Sequence, residues 1–191
     1  MTDEQETKPS FTLFPVLIFY SFFILASIII SHVSSKNPFF IEKERIIKTS
    51  HILWGLGTGL GIVLISLVST RFFKWGKDLE KEFKNHLTPL SMPTIFGISC
   101  ASALGEELLF RGALQQLVGL YTASILFGLF HFPFKKELVP WSIMAIFMGF
   151  ILGLLFEKTG NLTAPILCHF AINFLNILIL NINSRSTKTE L

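Results

Sequence analysis

Charge is scarce in this chain. Of its 191 residues only 15 % are Asp, Glu, Lys or Arg, against about 25 % in a soluble globular domain, and the mean hydropathy is +0.60. Too few polar groups remain to clothe a water-facing surface. The 21 phenylalanines add apolar area that one small soluble core could not hide. Cysteine is nearly absent as well: Cys100 and Cys168 each lie inside an apolar run, where a cysteine reads as a small packing residue. There is no HExxH, the helical zinc signature, and no GxSxG, the setting of a hydrolase serine. Internal repeats and low-complexity tracts are missing too. The net charge of +3 comes from Lys and Arg placed beside apolar runs, as membrane flanks carry them. That placement excludes nucleic acid as a partner.

What the chain does have is long apolar runs. About 20 residues, each rising 1.5 Å, cross the hydrocarbon of a bilayer, and residues 11–30 do so without a charge. This run is longer than the apolar part of a signal peptide and lacks a small-residue cleavage site, so it reads as a retained first span. Residues 51–69 form a second run, whose Gly55, Gly57, Gly59 and Gly61 predict a smooth face for a close helical neighbour. Between Arg71 and Leu90 the pattern changes. Phe72, Trp75, Leu79, Phe83 and Leu87 recur at three and four residues while Lys74, Lys77, Asp78, Lys81 and Lys84 fill the other face, the pattern of an amphipathic surface helix. Pro89 and Pro93 close it and open the next helix.

Four further apolar runs follow, over residues 94–120, 122–132, 141–156 and 163–180. The expected fold is an all-α polytopic membrane helix bundle of about six transmembrane helices, the fourth short, with one amphipathic surface helix. Its parts are residues 1–91, an N-terminal helix pair and the surface helix; residues 92–181, the membrane core; and residues 182–191, a polar C-terminal tail. One side of the membrane then receives ten Lys or Arg, including both termini and the surface helix. The other receives five: Lys36, Lys43, Arg45, Lys48 and Lys158. The positive-inside rule puts both termini in the cytoplasm.

Acidic side chains well inside an apolar span occur only in GEELLFRG, residues 105–112, and such residues need a reason. Glu106 and Glu107 point about 100° apart on a helix, whereas Glu107 and Arg111 lie one turn apart and can pair. The pairing offsets the cost of burying both and leaves Glu106 without a sequence-local partner. Phe127 with His131, and His169 with Asn173, are also one turn apart. Three helices can thus bring polar groups to one pocket. Peptide hydrolysis needs a base for water, a donor for the leaving amine and dipoles for the oxyanion; Glu106 with His131 can supply the first two, His169 with Asn173 the third.

These segments, EELLFR (106–111), FGLFH (127–131) and HFAIN (169–173), resemble the ordered motifs EExxxR, FxxxH and HxxxN or HxxxD of the CPBP family. That family groups the type II CAAX prenyl endopeptidases with bacteriocin-processing and self-immunity proteins. The resemblance spans residues 92–181, and Gly160, Asn161, Leu162, Ala164 and Pro165 also match a stretch common there. It implies an intramembrane endopeptidase with Glu106 and His131 activating water, His169 and Asn173 holding the oxyanion, and Glu107 and Arg111 as a structural ion pair. The implied partners are the lipid bilayer and a hydrophobic or lipidated peptide, of prenylated CaaX or bacteriocin type. The implied location is a bacterial plasma membrane, and no cofactor is expected.

Rival readings attach to the same residues. A zinc-dependent version would use Glu106, His131 and His169 as ligands. A non-catalytic immunity or assembly protein would use the pocket for binding, and a proton-coupled transporter would use it as a relay, though no inverted repeat supports that. Ser99 and Ser102 lack a local base. His32, His51 and His86 fall in flanks or in the surface helix, and are expected to do no chemistry. Asn176 and Asn181 read as helix-bonding residues. Asn161-Leu162-Thr163 matches a glycosylation sequon but sits at a helix edge, an accident of composition.

Overall fold

The computed structural model describes residues 12–41, 46–87, 89–133 and 135–189. Phe11, Lys43 and Arg45, which entered the span and charge readings above, lie outside them. Among the described residues the chain is helical, with one isolated antiparallel bridge between Phe40 and Asn161. The helices are α1 (Leu13–Val33), α2 (Thr49–Phe72), α3 (Lys74–Leu87), α4 (Met92–Glu107), α5 (Gln116–Phe130), α6 (Val139–Thr159) and α7 (Thr163–Thr189). A π-helical stretch, Leu108–Gln115, joins α4 to α5.

Five helical stretches are long and apolar enough to cross a membrane, and one of them, Met92–Phe130, has 39 residues. At 1.5 Å per residue that is roughly 58 Å, nearly twice the hydrocarbon thickness. Gly119 resolves the excess: its φ of 79° and ψ of 169° break the helix, a conformation that glycine adopts without steric cost. Residues 120–130 then form the expected short fourth helix, about 16 Å long. The fold is a helical membrane bundle, and its large exposed side chains, such as Phe14, Phe22, Leu53, Leu64 and Phe147, suit contact with lipid rather than water.

Contacts sort the connections into two ends. At one, Lys135 pairs with Glu82 of α3 (3.1 Å), Lys84 donates to the Asn183 carbonyl (3.0 Å), and Asn181 clamps both backbone groups of Leu90. At the other, Gln116 donates to the Asn37 carbonyl (2.7 Å), and the Ile41 N–H donates to the Gly160 carbonyl (2.9 Å). The amphipathic helix appears as α3, cut from α2 by the extended backbone of Phe73. Residues 182–189, expected as part of a polar tail, continue α7.

The turn into α7 explains the Gly160-Asn161 pair. Gly160 takes the left-handed cap of α6 with φ 68°, which a side chain would resist. Asn161, 1 % exposed, accepts the Thr163 N–H (3.0 Å) and contacts the His51 ring nitrogen through Nδ2 (2.8 Å). Its amide is committed to the fold, in keeping with an accidental sequon, and His51 is structural.

The glycine run of α2 needs a correction. Residues two apart on a helix are about 200° apart, so the four glycines divide between two faces. Gly55 and Gly59 lie against α7: a Cβ on Gly55 would come 2.5 Å from the Ala164 carbonyl, and one on Gly59 2.9 Å from that of Cys168. Gly57 and Gly61 face open space. Gly59→Leu should therefore lower the unfolding temperature in detergent, with overpacking costing about 1–3 kcal/mol. Gly57→Leu should leave it unchanged or raise it, and equal losses at both positions would refute this packing.

Candidate active site

Glu107 and Arg111 are almost fully withdrawn from solvent, at 0 % and 1 % exposure, so each must find partners or carry a large desolvation cost. Arg111 Nη1 donates to Glu107 Oε1 (3.1 Å) and Nη2 donates to the Gly149 carbonyl of α6 (3.0 Å). The Phe127 ring lies beneath the guanidinium, 4.4 Å from its carbon, a cation–π contact strengthened by burial. Gln115, one turn on, repeats the reach to α6 by donating to the Gly153 carbonyl (3.1 Å).

Glu107 has a second partner. His169 Nδ1 lies 2.7 Å from the same Oε1; a carboxylate oxygen only accepts, so Nδ1 carries the proton and Nε2 is turned away from Glu107. That Nε2 lies 3.9 Å from Glu106 Oε2. The ion pair is thus also the anchor of a histidine on α7.

Glu106 Oε2 meets His131 as well, at 3.6 Å from Nε2. His131 Nδ1 lies 2.7 Å from the Phe127 carbonyl, which fixes the proton on Nδ1 and leaves Nε2 toward Glu106. The ring edge rests on Trp141 (5.0 Å), whose own ring meets Phe83 of α3 (5.4 Å). Ser142 donates to the His131 carbonyl (2.7 Å). α5, α6 and α3 thereby fix one imidazole.

The structure brings Glu106, His131 and His169 to one point, and Glu107 with Arg111 beside it. Asn173 lies one turn along α7 from His169 and donates through Nδ2 to Ser102 Oγ (2.9 Å), one turn before Glu106 on α4. Ser102 donates in turn to the Ser99 carbonyl (3.3 Å), and Ser99 to that of Ile95 (2.8 Å), so both hydroxyls are occupied in the helix. One site residue was not anticipated. Tyr20 of α1 donates its hydroxyl to Glu106 Oε1 at 3.0 Å, giving Glu106 the partner that its local sequence lacks. A lone tyrosine in a charge-free span carries no periodic signal.

Tetrahedral zinc, with bonds of about 2.0–2.1 Å, holds its donor atoms roughly 3.3 Å apart. The separations of 3.6 and 3.9 Å from Glu106 Oε2 to the two histidines are wider. Among the described residues no group of three or more His, Cys, Asp or Glu is arranged to hold a metal ion.

If Arg111 supports the site as described, Arg111→Met should destabilise the protein by on the order of 3 kcal/mol by leaving a buried carboxylate short of its partner. Arg111→Lys, which keeps the charge but not the planar fork, should fall between. Unfolding temperatures in detergent check this order, and an unaffected Met variant would contradict it.

The family profile described as Type II CAAX prenyl endopeptidase Rce1-like matches residues 88–175, a stretch containing all three motifs. The chain is 32 % identical to the uncharacterized protein YpbD of Bacillus subtilis (strain 168) over 163 residues, covering 76 % of this chain and 81 % of the relative. No solved structure gives a significant match. With its EELLFR segment at the junction of α4 and the π-helical stretch, FGLFH at the end of α5 and HFAIN on α7 of a membrane bundle, the chain belongs to the Rce1-like CPBP family of membrane proteases.

Proposed function

We propose that the protein is an intramembrane endopeptidase that hydrolyses a peptide bond with water activated by Glu106 and His131. The observation that carries this reading is the convergence of two imidazole Nε2 atoms on Glu106 Oε2, at 3.6 and 3.9 Å. A water molecule held among these groups would lose its proton to Glu106 as its oxygen attacks the scissile carbonyl, with His131 Nε2 sharing that proton. The carbonyl oxygen becomes an oxyanion. The second N–H of the Asn173 amide is a donor for it, and His169, whose Nδ1–H is engaged by Glu107, is another when its Nε2 also carries a proton, as an imidazolium. The proton then passes to the leaving amine as the carbon–nitrogen bond breaks. No step requires a metal.

The family and the membrane surroundings support a substrate class. We propose a hydrophobic or lipidated peptide delivered through the bilayer, a prenylated CaaX-type terminus or a bacteriocin-type precursor. We propose a bacterial plasma membrane with both termini cytoplasmic; the orientation is supported by the sequence, in which six spans assign ten Lys or Arg to the side of the termini and α3 and five to the other. A leaflet-facing α3 beside His131 fits a substrate arriving from that side.

In liposomes, the purified protein should release product from a peptide ending in a farnesylated CaaX sequence, detected by mass spectrometry. Glu106→Gln should lower kcat by about 10²–10⁴-fold while the protein stays folded. Full activity in that variant would refute the assignment. Excess chelator should leave the wild-type rate unchanged, and loss reversed by added zinc would overturn the metal-free mechanism.

A further inference from the structure

Tyr20 lies far outside the matched residues 88–175, on a helix with more than half of its residues exposed. Only Ser27 and Ser31 of α1 are buried. Yet the face that carries Tyr20 is built against the acid-bearing helix. Gly105 packs so closely on it that an added Cβ would lie 3.0 Å from Tyr20 Cδ1 and 3.2 Å from its carbonyl oxygen. Seven residues on, two helical turns along the same face, Ser27 donates to the Leu108 carbonyl at 2.7 Å. Leu108 opens the π-helical stretch. Edge-on contacts of Phe23 with Tyr20 (5.8 Å) and Phe110 (6.4 Å) fill the space between these two bonds.

We infer that Tyr20 is a positioning residue for Glu106. The inference rests on the proposed protease chemistry for its consequence but not for its geometry. A carboxylate on a two-carbon stem can rotate about its last bond, and only one oxygen is needed by the water. The Tyr20 hydroxyl holds Oε1 at 3.0 Å and so fixes Oε2 between His131 and His169. With the tether cut, the carboxylate can turn Oε2 away from both histidines, and small misplacements of a reacting group cost rate steeply. The first span thereby becomes part of the catalytic apparatus rather than an anchor alone.

Tyr20→Phe keeps the ring against Gly105 and removes only the hydroxyl. In the liposome assay with the farnesylated peptide, kcat should fall by about ten- to hundred-fold. KM and the unfolding temperature should stay at wild-type values, because the hydroxyl touches Glu106 and not the substrate. A direct reading needs no substrate. The chain has two tyrosines, so in a Tyr121→Phe background the ultraviolet Raman doublet of tyrosine reports Tyr20 alone. It should show a phenol donating to a carboxylate, and Glu106→Ala should abolish that signature. A doublet indifferent to Glu106→Ala overturns the tether. A Tyr20→Phe enzyme with wild-type kcat, or with a raised KM and unchanged kcat, overturns the positioning role. Where the doublet behaves as expected but the wild-type protein cleaves nothing, the protease reading fails and the tether stands.

Discussion

Arg111 is 1 % exposed and Glu107 is fully enclosed, in a bundle whose outer surface faces hydrocarbon. Neither charge can be hydrated there, and breaking such a pair costs several kcal/mol. The helices must therefore come close enough to satisfy both. α6 supplies the Gly149 carbonyl, α5 the Phe127 ring, and α7 the His169 ring. Glycines at 128 and 149 let α5 and α6 meet near backbone distance, the latter facing Ser124 with no room for a side chain. The packing of four helical segments is set by one ion pair.

The same network separates two carboxylates that are neighbours in sequence. Glu107 is committed: its Oε1 serves Arg111 and His169 together. Glu106 points elsewhere, and its contacts are a phenol on α1 and two imidazole nitrogens. Fixing His169 through Nδ1 is what presents its Nε2 to Glu106, so the structural acid orients a side chain assigned to the reaction. Mechanism and stability share a residue at that point.

Much of this was legible in the sequence because it depends on helical spacing. Glu107 and Arg111, Phe127 and His131, and His169 and Asn173 are each one turn apart, and the span boundaries follow from apolar length. Even the break between the third and fourth helices was placed within two residues of Gly119. What escaped depends on tertiary contact. Tyr20 meets Glu106 across 86 residues and His51 meets Asn161 across 110, with no local pattern to announce either. The π-helical stretch has no compositional mark. The glycine face of α2 was half right, since alternate residues on a helix turn away from one another and only Gly55 and Gly59 meet α7.

Replacing each glutamate by glutamine tests the division between them most directly, because charge is removed at nearly constant shape and no substrate is needed. Thermal unfolding of the two variants should differ. Glu107→Gln should lose on the order of 3 kcal/mol, leaving a buried guanidinium without its counter-charge. Glu106→Gln, still able to accept from Tyr20, should unfold at or above the wild-type temperature. Equal losses, or a loss confined to Glu106→Gln, would contradict the assignment of Glu107 as anchor and Glu106 as the free acid.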